Sequence, residues 1–101
     1  MKTKDIYNRE LEYDFKDYVV IDLTFGSDTA LYWKERSSGA DANEVISTIH
    51  INDHTTLIGW FEHDKTVVSL YSDYERGKTY GFQHFSDGRV RELIGTIKPK
   101  A

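Results

Sequence analysis

The acid best placed to do chemistry is Glu62. It closes an extended run, Thr56 to Glu62, in which Ile58, Trp60 and Glu62 share one parity. If that parity faces an apolar interior, burial raises the carboxyl pKa, which suits a general acid or base or a hydrogen-bond anchor for a ligand. The competing placement is a strand-end glutamate in water, with Trp60 supplying only packing area. Tyr13, Tyr32 and Tyr80 carry phenols that a cavity could use, although tyrosine is equally at home on an outward strand face. His84 alternates with Tyr80 and Phe82, so an inward Phe82 places the imidazole inward too, where it would pair with Glu62 as acid and base; otherwise it is a rim histidine.

The remaining polar patterns carry less. His50 and His54 are spaced for one face of a helix, not for a strand end, and His63 lies in a separate turn, so no metal site is expected. The glycine turns punctuate hairpins and join no strand to a helix, which excludes phosphate loops. Neither a nucleophile elbow nor a Ser-His-Asp arrangement can be identified.

Strands must position these groups. Tyr18 to Phe25 alternates Val19, Ile21, Leu23 and Phe25 against Asp22 and Thr24; Ala30 to Glu35 carries Leu31 and Trp33 on one face. Further runs are Leu11 to Phe15, Glu44 to Ile51, Thr56 to Glu62, Thr66 to Asp73, Thr79 to Phe85 and Val90 to Lys98, the last two joined through Asp87-Gly88, a strong hairpin signal. Ser37 to Ala42 reads as the longest loop, and Thr3 to Glu10 is the one place for a helix. Eight short runs at regular spacing predict an all-β, up-and-down antiparallel barrel. Its interior would hold its own side chains or one small ligand. On simple parity Tyr13, Phe15, Phe25, Trp33, Trp60 and Phe82 all point into it.

Composition bounds the partners. The 101 residues make one domain, 1–101, with a polar N-terminal segment at 1–10, and the net charge of −4 argues against nucleic acid, which needs a cationic face. No apolar run reaches signal-peptide or membrane-helix length, so a cytoplasmic protein without membrane contact is expected. Zero Cys fits a reducing compartment and removes thiolate chemistry. Aromatic residues at 14% beside 30% charged residues describe a core built of rings.

The stretch Leu23-Thr24-Phe25-Gly26-Ser27-Asp28-Thr29-Ala30-Leu31-Tyr32-Trp33, then Trp60-Phe61-Glu62 before a hairpin, then Lys78-Thr79-Tyr80-Gly81-Phe82, resembles the small MoaF-like domains. These are lipocalin-related calycin barrels. The resemblance, spread over residues 11 to 98, implies that fold and a ligand-binding cavity. MoaF is associated with molybdenum-cofactor genes, but no molybdopterin-binding motif is visible. A more distant similarity is to phenolic acid decarboxylases, which place two tyrosines, an arginine and the glutamate of a Trp-x-Glu strand around the substrate. Here Tyr13 and Glu62 fall at plausible positions, Phe15 replaces the second tyrosine, Arg36 is only an approximate counterpart, and the extension after the barrel is missing.

Three readings follow. The first is a barrel binding an apolar or aromatic small molecule among Trp33, Trp60 and Phe82, oriented by Tyr13, Glu62 or His84, with no cofactor. The second is an enzyme with Glu62 as its acid or base and Tyr13 as anchor, which is the least expected. The third is a fully packed, non-catalytic module that dimerises through an outer sheet face.

Overall fold

The computed structural model describes residues 1–100. Nine antiparallel strands form one sheet: β1 (Glu10–Asp14), β2 (Val20–Ser27), β3 (Ala30–Glu35), β4 (Asp41–Val45), β5 (Ser47–Asn52), β6 (Thr55–Phe61), β7 (Val67–Asp73), β8 (Lys78–His84) and β9 (Val90–Pro99). Their order is β4-β3-β2-β1-β9-β8-β7-β6-β5, a meander whose first and last strands pair. The all-β barrel is as expected, and its ninth strand has a simple origin. β4 and β5 lie at opposite ends of the sheet order, yet only Ile46 separates them in sequence. They are one extended run that changes partner, from β3 before Ile46 to β6 after it. Ile46 is buried at this switch, and its N–H donates to the Thr29 carbonyl at 3.0 Å. Eight runs thus make a nearly closed barrel. β4 begins at Asp41, so the loop expected over Ser37 to Ala42 is shorter than its composition implied.

Register divides the interior of β6 to β9 into layers. At one level Thr56, Ser72, Thr79 and Gly95 face each other across four strands. These small residues leave a volume that the Tyr13 and Tyr74 rings fill. The Tyr13 hydroxyl and Ser72 Oγ are 2.8 Å apart, Tyr74 OH and Thr56 Oγ1 2.9 Å, so the buried phenols find partners in that layer. The next level is Ile58, Leu70, Gly81 and Leu93, and the one after it Trp60, Val68, Gln83 and Arg91. Gly81 is dictated by closeness: a Cβ there would stand 1.9 Å from the Ser69 carbonyl oxygen.

One end of the barrel is stoppered. The expected helix over Thr3 to Glu10 is a single 3-10 turn, Thr3–Asp5, because the segment makes its bonds to the barrel instead. Thr3 donates to the Asp53 carbonyl at 2.8 Å and Asn8 to that of Phe25 at 2.7 Å, while Ile6 is buried. Tyr7 donates its hydroxyl to Asp28, which also bonds His50 Nε2 at 2.9 Å. Burial and that bond to Asp28 push the Tyr7 pKa up to about 12.

Outside β1, β2 and β9, Glu12 and Asp22 are cross-strand neighbours that require counter-charge. Arg36 supplies it to both, at 2.8 and 2.7 Å, and Lys100 bonds Asp22 at 3.1 Å. Burial works against the Asp22 charge, but Arg36 and Lys100 outweigh it and hold the carboxyl below its ordinary pKa. No helix among the described residues is long and apolar enough to cross a membrane.

Candidate functional site

The end opposite the N-terminal stopper is open. A cavity of about 280 Å³ lies between the β1–β2, β3–β4, β6–β7 and β8–β9 turns. Its floor is apolar, with Leu23, Val68, Leu70 and Leu93, and Phe15, Trp33 and Trp60 stand on its walls. This volume is near the lower end of the ~300–1,000 Å³ usual for ligand pockets.

Glu62 reaches this cavity because of the turn that follows it. Glu62 N–H donates to the Thr66 carbonyl at 2.7 Å, and Lys65 takes a left-handed φ of 69° to close the hairpin. Asp64 Oδ1 accepts the Thr66 N–H at 3.0 Å and fixes the turn from within. The Glu62 side chain then follows Trp60 along the inward parity, and Trp60 Nε1–H donates to Glu62 Oε2 at 3.3 Å. Burial raises the Glu62 pKa; the indole bond opposes this, and the charges of Glu44 and Asp64 reinforce it. A second indole–carboxylate pair stands on β3 and β4, where Trp33 Nε1–H donates to Glu44 Oε2 at 2.9 Å.

Trp33, Trp60 and Glu62 are therefore brought together as the parity argument required. The other three candidates are not. Tyr13 is inward but entirely buried, and its hydroxyl is engaged by Ser72 in the layer below the cavity rather than on its wall. Phe82 and His84 point outward, with Phe82 46% exposed, so the inward parity expected for them is corrected. The inward residues of β8 are Thr79, Gly81 and Gln83, continued by Phe85. Small or slender side chains face in because the strands are close there, and the large rings have room only outside.

Sequence reasoning missed Gln83, Glu35, Asp64, Tyr18 and Phe85 on the cavity wall. Gln83 was findable: had Phe85 been taken as the inward ring of its run, Gln83 would have followed by alternation. Its Oε1 atom is buried without a hydrogen-bond partner. At the rim, the Arg91 guanidinium lies 4.0 Å from the Tyr18 ring centroid and that of Arg89 4.9 Å from the Phe85 ring. Arg36 lies outside the barrel, committed to Glu12 and Asp22. Of the three histidines with poor metal spacing, His50 bonds Asp28 and His54 Nδ1 lies 3.2 Å from the Met1 carbonyl oxygen. No group of three or more ligating side chains converges among the described residues.

A family model described as MoaF-like matches residues 7–98. Among curated proteins none matches the sequence. Among solved structures, a crystal structure of a putative beta-lactamase from Burkholderia vietnamiensis superposes with a TM-score of 0.85, covering 95% of this chain and 96% of that one at 16% identity. At that identity the likeness concerns the fold alone.

Proposed function

The chain belongs to the MoaF-like family, and from that premise we propose that it is a small-molecule-binding barrel whose site is the cavity at its open end. The observation that carries this reading is an apolar cavity with Glu62 on its wall, at the end of the barrel opposite the buried Tyr13, Tyr74 and Ile6. Trp33 and Trp60 give it flat aromatic surfaces, and Glu62 gives it one oriented polar anchor. Binding is preferred over decarboxylation because two groups that would hold a substrate carboxylate are occupied elsewhere, Tyr13 with Ser72 and Arg36 with Glu12 and Asp22. Native mass spectrometry of the protein purified from its host tests the reading: a retained small molecule, lost on Trp60→Ala, supports it. Incubation with hydroxycinnamic acids is expected to leave their carboxylates intact.

A second reading, self-association, has its own observation. Ile49, Leu57, Tyr71, Tyr80 and Ile94 lie in register across β5, β6, β7, β8 and β9 on the outer face, and all but Tyr71 are largely exposed. An apolar row of this kind suits an isologous contact with a second copy. Sedimentation velocity would then give a dimer that Ile94→Lys dissociates.

A further inference from the structure

The charged groups on the cavity wall are all carboxylates. Glu35, Glu62 and Asp64 are the charged residues on its wall, and no Lys, Arg or His joins them there. Gln83 also lines the wall, with its Oε1 turned into the protein and out of the cavity space. Both indole N–H groups are already taken by carboxylates, Trp33 by Glu44 and Trp60 by Glu62, which withholds them from any anion while leaving the ring faces free. Electron-rich faces of Trp attract cations. The cation in register with Gln83, Arg91, is exposed and turned onto the Tyr18 ring at the rim.

We propose that the cavity selects a compact organic cation: a primary amine or small ammonium carried on a single apolar ring. The ring lies between Trp33 and Trp60 above the leucine floor, and the ammonium donates to Glu62. The volume of about 280 Å³ admits one such ring and excludes long acyl chains. This assignment rests on the small-molecule-binding reading above, and its test separates the two.

The experiment compares three probes that share one 4-hydroxyphenyl-ethyl frame and differ in charge: tyramine, 4-ethylphenol and 3-(4-hydroxyphenyl)propionate, titrated calorimetrically at neutral pH with the fluorescence of Trp33 and Trp60 recorded alongside. Tyramine is expected to bind at least about tenfold more tightly than 4-ethylphenol, the difference one charge-assisted hydrogen bond makes, and the propionate more weakly than either. Glu62→Gln should bring the affinity for tyramine down to about that for 4-ethylphenol, with circular dichroism verifying the fold. Equal binding of tyramine and 4-ethylphenol, or tighter binding of the propionate, overturns the cation assignment and leaves the binding reading standing. No binding of any probe at millimolar concentration overturns both.

Discussion

The two ends of this barrel use their aromatic and polar side chains differently. At the stoppered end, Tyr13 meets Ser72 and Tyr74 meets Thr56, so both buried phenols are satisfied inside the protein, and Thr55 Oγ1 is the one buried side-chain atom there without a partner among the described residues. At the open end Glu62 is bonded only by its neighbouring indole, and Gln83 Oε1 by nothing. Satisfied polar groups rigidify a core. Groups whose bonding capacity is left over, in a cavity, are what a ligand recognises. The difference sets a packed end against one with an open cavity, although the same strands build both.

Substitutions can break that contrast. The largest effect is expected from Tyr13→Ala, which empties a fully buried ring position at the stoppered end and should cost about 3–5 kcal/mol in urea unfolding while leaving the open-end residues in place. Next comes a pair of opposite sign. Tyr13→Phe strands Ser72 and should cost about 1–2 kcal/mol, whereas Gln83→Leu removes an orphaned acceptor and should be neutral or stabilising by about 1 kcal/mol. Equal destabilisation by both would erase the distinction between the ends.

The smallest effect is a pH dependence. Because burial raises the Glu62 pKa in the folded chain, its ionisation opposes folding: its favourable contribution is full below the unfolded value, about 4.3, and is lost as pH rises through the raised folded value. Glu62→Gln should therefore melt higher than the parent at neutral pH, with the gap closing as pH falls below about 4. Asp22 behaves in the reverse sense. Its lowered pKa gives stability that is present at neutral pH and lost on acidification, so Asp22→Asn should melt lower at neutral pH, and its deficit too should shrink in acid.

Much of this architecture can be read from alternation and turn chemistry, because a half-buried strand has a period of two and its turns need Asn, Asp or Gly. Val19, Ile21, Leu23 and Phe25 were legible for that reason, as were Trp60 and Glu62. Three features escaped for physical reasons. Parity says whether a side chain points inward, not how deep it sits, so Tyr13 looked like a wall residue and is instead part of the packed layer beneath the cavity. On β8 the large rings Tyr80 and Phe82 face outward, because close approach of β7 allows only glycine at position 81; size was a misleading guide to burial there. The switch of partner at Ile46 is set by barrel closure, which no local pattern encodes.

The central claim is that the open end is the binding site. The direct measurement follows the two indole N–H resonances, Trp33 and Trp60, in ¹⁵N-labelled protein as tyramine is added. Both are expected to shift together and saturably, while the amides of Ser72 and Tyr74 at the stoppered end stay still. Unmoved indoles, with shifts confined to Leu57, Tyr80 and Ile94 on the outer face, would contradict it.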